Sequence, residues 1–351
     1  MRSIGVDPGS NSFDIFGLDD ESTFIDEIIP TAEIIENPDR LISILKQAEP
    51  FDILVAPSGF GIPLKHCKDI EPIDIFKMTL KHKGEGPSVG LQKVIEKICE
   101  QNWNAYFIPG VKQFLTVPAY RKMNKIDMGT ADKVCACVAC LWFLYQRGES
   151  FDSMNFVLLE LGSWFSAAVA VVNGKIVHGI GGSDMQGFGS IGYLDAELAY
   201  LMQPFGKNAF YKNGMNKFIK KYYLEKIHFD PMMLDNQEIR EYLDNYFERL
   251  DRDLVWLKRI CGFQRSKRVN IFVSGRYSKN EYIMDRLSQK MGDEFIFSSI
   301  ELYSSKCGNT AIGAALIGQG LLNGSTKNLI DHLELKNARE DIFSHLTVEL
   351  K

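Results

Sequence analysis

Two short runs place a carboxylate, a glycine and a serine in the same order, Asp7-Pro8-Gly9-Ser10 and Glu160-Leu161-Gly162-Ser163. A glycine just past a strand end lets backbone N–H groups approach an anion closely, and the neighbouring serine adds a hydroxyl donor. A carboxylate beside them repels a bare phosphate but holds a hydrated Mg²⁺ that bridges to one. Each member of the second run lies 153 positions after its counterpart, since 160 − 7, 162 − 9 and 163 − 10 all give 153. Either turn alone is commonplace. The matched pair, each inside a three-stranded meander, points to duplicated halves facing each other across a cleft and forming a metal-triphosphate clamp.

A third element, Val273-Ser274-Gly275-Arg276, runs an apolar strand into a glycine turn and a helix, a geometry that offers a helix N-terminus and a flat backbone to an adenosine. A fourth, Gly308 to Gly318, is a helix of small residues suited to close packing against a partner helix, here the long one that begins at Gly129.

The elements that must position these turns are legible from periodicity. Strands are expected at Ser3 to Val6, Phe13 to Leu18 and Thr23 to Ile29, then at Phe156 to Leu161, Phe165 to Val172 and Lys175 to Ile180, the last pair joined by the hairpin signal Asn173-Gly174. Buried strands follow at Phe51 to Ala56, Ala105 to Ile108, Val269 to Val273 and Glu294 to Phe297. Helices are expected at Pro38 to Gln47, Ser88 to Asn102, from Gly129-Thr130 to Arg147, Tyr193 to Met202, Asn216 to Lys226 and Asn309 to Leu322. A long amphipathic helix is expected from Asn236 to Cys261, with Ile239, Leu243, Tyr246, Leu250, Leu254, Leu257 and Ile260 on one stripe. The charged tail from Ser325 to Lys351 reads as a helix packed back on the body.

The 351 residues are enough for two domains, with a boundary near Gly148. Forty basic against forty-five acidic residues, a net charge of −5, lacks the basic excess of a nucleic-acid binder. A carboxylate at the seventh position leaves no room for a signal-peptide apolar core, and no apolar run is long enough for a membrane span. Seven scattered cysteines do not suggest a disulfide framework, so a cytoplasmic setting is expected. Helical periodicity separates Cys135 from Cys137, and Cys140 completes no metal set, so all three read as buried apolar residues.

In the order of these parts, the chain from Gly5 to Gly320 resembles the acetate and sugar kinase, heat-shock cognate and actin superfamily. In detail, Ile126 to Lys133 and Val273 to Arg276 look most like an archaeal branch labelled predicted butyrate kinase. The resemblance implies an α/β fold of two ribonuclease H-like (actin-like ATPase) domains, residues 1–148 and 149–351, with mixed five-stranded sheets across a nucleotide cleft and a C-terminal helix returning to the first domain. It makes Asp7, Gly9 and Ser10 the first phosphate motif, Glu160, Gly162 and Ser163 the second, and Ser274, Gly275 and Arg276 the adenosine motif. Asp7 and Glu160 become ligands of Mg²⁺ beside ATP. Glu160 stands where most relatives carry aspartate, and Ser274-Gly275-Arg276 replaces their paired glycines.

Relatives place part of the acceptor site where Gly181-Gly182-Ser183 follows the second meander, and Ser58 and Gly59 follow an inner strand of the first half. Asp127 reads as a general base that positions an acceptor oxygen, with Arg121 and Lys122 neutralising an anionic acceptor. The partners expected are ATP and a small acceptor; a homodimer is allowed. Two function classes stay open: a kinase of a small carboxylate or hydroxyl compound, and a nucleotide-gated regulator without catalysis. Gly187-x-Gly189-x-x-Gly192 matches a dinucleotide fingerprint literally, but it follows its strand too late for that strand-to-helix turn. A P-loop is excluded because no Gly-Lys-Ser/Thr sequence is present, and the histidines lack metal-ligand spacing.

Overall fold

The computed structural model describes every residue except 82–89, 205, 207, 212, 224–228, 301, 304, 350 and 351. Two mixed sheets organise the chain. In the first, β1 (Arg2–Pro8), β2 (Ser12–Asp19) and β3 (Ser22–Pro30) form the expected antiparallel meander. Strand β4 (Ile53–Val55) lies parallel to β1, and the short β5 (Lys65–His66) runs antiparallel at the edge beside β6 (Ala105–Phe107). With β6 parallel to β4, the order is β3-β2-β1-β4-β6-β5, one short strand more than the five expected.

The second sheet repeats the plan with β7 (Phe156–Leu161), β8 (Ser166–Val172), β9 (Lys175–Ile180), β10 (Val269–Ser274) and β11 (Phe295–Ser299). Strand β10 is parallel to β7, and β11 is parallel to β10. Read from its meander edge, β9-β8-β7-β10-β11 has the same order as β3-β2-β1-β4-β6. A parallel neighbour needs a crossover and an antiparallel one only a turn, so the shared order follows from each half holding a meander and then crossovers. At Asn173 and Gly174 both φ angles are positive, 51° and 69°, as the Asn-Gly signal requires of a hairpin turn.

In the first half, α1 (Thr31–Glu36) and α2 (Asp39–Gln47) connect β3 to β4, and α3 (Pro72–Thr79) and α4 (Leu91–Cys99) lie between β5 and β6. Then comes α5 (Ala131–Gln146). The second half carries α6 (Ala196–Leu201), α7 (Asn208–Tyr211), α8 (Met215–Tyr222), α9 (Gln237–Ile260), α10 (Glu281–Met291), α11 (Asn309–Leu321) and α12 (Lys327–Leu333). The expected helix start at Ser88 and helix end at Lys226 lie outside the described residues. Among the described residues, no helix is long and apolar enough to cross a membrane.

Contacts divide the chain into two compact units, Met1–Met154 with Val171–Gly179 and Ile300–Lys351, and Asn155–Ala170 with Ile180–Ser299. In the first unit, Leu41, Ile42 and Leu45 of α2 and Val94, Ile95 and Ile98 of α4 close a core with Ile4, Phe13, Ile15, Leu54 and Phe107 from the sheet. Helix α11 packs against β1 and α5, as its small residues lead one to expect. A Cβ on Gly313 would lie 1.9 Å from the carbonyl oxygen of Cys135, so no other residue fits that crossing. Cys135, Cys137 and Cys140 are buried in α5, and burial pushes the Cys135 and Cys137 thiols well above their usual range. In the second unit, α9 buries the expected stripe from Ile239 to Leu257, while Ile260, in its last position, is only half-buried.

The tail departs from the expected continuous helix. Helix ends at Leu333, and a left-handed Glu334 breaks the run. Beyond it the chain is a strap on the first unit: Asp341 pairs with Lys77, Glu340 with Lys122, and Phe343 stacks on Phe76. Lys112, buried, donates to the carbonyls of Lys125 and Ile342. A charged segment normally stays solvated; here buried lysines supply its partners.

Candidate functional site

The β1–β2 turn and the β7–β8 turn share one backbone feature. A Cβ on Gly9 would lie 2.6 Å from the oxygen of Ser12, and a Cβ on Gly162 2.9 Å from the oxygen of Phe165. Each glycine therefore faces the carbonyl three residues on, and Ser12 and Phe165 are themselves 153 positions apart (165 − 12). In the second turn the Gly162 N–H donates to Phe165 O at 2.9 Å. In the first, Thr31 ties the turn down, its hydroxyl donating to Gly9 O at 2.8 Å and its N–H to Asn11 O at 2.9 Å.

Asp7, half-buried at the end of β1, stands opposite Asp14 in the antiparallel register. Directly opposed residues share a sheet face, so two carboxylates lie side by side there. Asp7 and Asp132 both act on the Cys135 thiol, which puts Asp7 within electrostatic reach of the start of α5. Asp14 accepts from the Gly308 N–H at 2.8 Å, just ahead of α11, and from the Ser12 hydroxyl at 2.8 Å. Burial is the main influence on its carboxyl and holds it above the usual range. Sequence reasoning missed Asp14; its position one strand away from Asp7, seven residues on, was the available signal.

In the second unit, Glu160 at the end of β7 stands beside Ser274 in the parallel register. Gly275 has φ of +85°, and a Cβ there would lie 2.8 Å from Glu160 Oε1 and 2.7 Å from Leu161 O. The runs expected as the second phosphate motif and the adenosine motif therefore meet at one spot, and only glycine fits between them. Ser278 donates to Gly275 O at 2.7 Å and closes the turn that carries Arg276. Ser163 and Ser274 are buried and Ser10 is exposed.

The residues expected around an acceptor fall in two places. In the first unit, Ser58 donates to Ala56 O at 2.9 Å and accepts from the Ile108 N–H at 3.0 Å, joining the ends of β4 and β6. Gly59, at φ +53°, presents its carbonyl to the Ala131 N–H at 2.9 Å and so fixes the start of α5. Asp127 is buried and accepts from the Gly129 N–H at 3.0 Å. Arg121 donates to Val177 O at 3.1 Å, on β9. Lys122 corrects the expectation of a free anion receptor: it is fully buried, donates to Phe114 O at 2.7 Å and pairs with Glu340 of the strap. His178 of β9 is buried, and its pKa is driven down to about 4 by burial first and by Arg121 and Lys125 second. In the second unit, Gly181 and Gly182 are buried and Ser183 is exposed, and the Asp184 and Met185 N–H groups both return to Gly181 O.

The paired meanders, the repeated strand order and the small-residue helix define an actin-like ATPase fold. Its likeness to solved structures is of the same kind. The chain is similar to an acetate kinase from Entamoeba histolytica at 12% identity and a TM-score of 0.57, over 83% of this chain and 86% of that one. It is also similar to a propionate kinase from Francisella tularensis subsp. tularensis SCHU S4 at 12% identity and a TM-score of 0.60, over 91% and 99%. Residues 5–348 match the family described as Protein of unknown function (DUF1464), and the chain belongs to that family. No curated protein matches the sequence.

Proposed function

We propose that this chain is an ATP- and Mg²⁺-dependent phosphotransferase that acts on a small carboxylate or hydroxyl acceptor, a butyrate-like short-chain acid being the finest form of the reading. The observation that carries it is the repeated turn: in both units a glycine faces the carbonyl three residues on, and a carboxylate precedes it by two residues. Phosphoryl transfer asks a protein mainly for positioning and charge neutralisation. In this reading Gly9, Ser10, Gly162 and Ser163 give their donors to phosphate oxygens, and Ser274, Gly275 and Arg276 form the adenosine turn. Asp7 and Glu160 carry carboxylate oxygens, the donor type that a hard cation prefers, and in this reading they would hold it. Such a cation, when bound, neutralises charge on the transferring group. Asp127 then orients the acceptor oxygen, and Ser58, Gly59, Gly181, Gly182 and Ser183 shape the acceptor's surroundings.

A thermal-shift screen of Mg-ATP with short carboxylic acids and polyols, followed by ADP release on the hits, tests this reading. Saturating nucleotide should stabilise the fold, by about 2.7 kcal/mol at a hundred times its Kd. One acceptor should add to that shift and drive ADP release. Nucleotide binding with no turnover on any acceptor would favour the regulator, and no binding would overturn both.

A further inference from the structure

The glycine run 187–192 has a use that is not a dinucleotide site. Between Met185 and Tyr193 the chain folds back on itself, with the Gly187 N–H donating to Ser190 O at 3.1 Å and the Tyr193 N–H to Asp184 O at 2.9 Å. This fold lies flat on the β7–β8 turn. The Gly189 and Ser190 N–H groups both donate to Trp164 O, at 2.8 and 2.9 Å. A Cβ on Gly189 would lie 2.2 Å from the Trp164 ring, and one on Gly187 would lie 2.3 Å from Trp164 O. Just upstream, a Cβ on Gly182 would lie 2.9 Å from Phe165 Cβ. Trp164 and Phe165 are the two residues that follow Ser163 in the turn.

We infer that the segment from Gly181 to Gly192 is a positioning clamp for the second phosphate turn, holding Gly162 and Ser163 in register by bonding Trp164 O and by packing against the Trp164 and Phe165 side chains. The glycines are there because any side chain would push the loop off the turn. The clamp rests on the nucleotide-binding reading only for its consequence: a turn held open by a clash presents its amides poorly to phosphate.

The test uses the full chain with Gly189→Ala and, in parallel, the milder Gly182→Ala, whose clash is with a side chain alone. Gly292→Ala serves as a control at the far end of α10, where a Cβ would lie 2.4 Å from Ser288 O. Hydrogen exchange of residues 162–165 is read without nucleotide, and Mg-ATP affinity by calorimetry. The clamp predicts faster exchange at the turn in Gly189→Ala, a smaller rise in Gly182→Ala and none in Gly292→Ala. It also predicts affinity lowered at least tenfold in Gly189→Ala and brought back within about threefold by adding Trp164→Leu. Should Gly189→Ala not fold, Gly182→Ala decides by the same two measurements. Unchanged exchange in a folded variant, or equal losses in Gly292→Ala, would overturn the clamp. Wild-type protein that binds no Mg-ATP would overturn the nucleotide reading and leave the exchange comparison to decide the clamp.

Discussion

The two turns proposed to hold phosphate share the approach of a glycine to the carbonyl three residues on and differ in what holds them. The first is fastened by one residue, Thr31, whose hydroxyl and N–H reach Gly9 O and Asn11 O. The second is fastened by a folded loop twenty-odd residues downstream that covers Trp164 and Phe165. The third strands differ too: β3 is largely exposed, whereas β9 is largely buried and carries His178. The repeated element therefore keeps the approach of its glycine to the carbonyl three residues on while its supports diverge.

The sharpest way to break this comparison is to fill both glycines. The closer approach at Gly9, 2.6 Å against 2.9 Å at Gly162, predicts the larger loss. Gly9→Ala should weaken Mg-ATP binding about a hundredfold and Gly162→Ala about tenfold, roughly 2.7 and 1.4 kcal/mol, by calorimetry. Equal losses would break the order set by the two approaches, and an unchanged affinity in either variant would mean that the turns do not share a role.

The buried β9 predicts a pH dependence that β3 does not. An unfolded chain takes up a proton at His178 near pH 6.5, but the folded one does so only near pH 4. The unfolded state thus binds more protons between these values, so stability should fall on acidification from about pH 6.5 to 4, by up to about 3 kcal/mol. Denaturation midpoints of wild type and His178→Asn across that range should diverge, with the variant flatter.

The smallest effect concerns the fastening of the first turn. Thr31→Val leaves Gly9 O without its hydroxyl donor and should cost about 1 kcal/mol of stability. Nucleotide affinity should weaken a few-fold, because the Thr31 N–H still reaches Asn11 O. An unchanged affinity with lost stability would make Thr31 a support of α1 alone.

Much of this arrangement could be read from the sequence, for physical reasons. Period-two runs, the Asn173-Gly174 hairpin and the shared spacing are local signals, so both meanders and both turns were legible. The small-residue helix announced its own close packing. What could not be read depends on distant partners. Nothing local marks Asp14 as the acceptor for Gly308, Lys122 as the partner of Glu340, or the 187–192 glycines as a cover for Trp164. The tail packs back on the body as expected, but nothing local marks the left-handed Glu334 that ends its helix or Lys77 and Lys122 as partners of its acids.

The most direct test of the account is to measure ATP turnover per folded molecule and the denaturation midpoint on one sample of Asp7→Asn. The substitution keeps the shape of the turn and removes the charge that the cation needs. Turnover should fall by about three orders of magnitude, since the lost interaction is used more in the transition state than in the ground state. The midpoint should stay put or rise, because Asp14 lies directly opposite and one of two adjacent carboxylates is gone. A protein destabilised by about 3 to 5 kcal/mol that turns over ATP normally per folded molecule would contradict the account, because Asp7 would then be a buried structural partner.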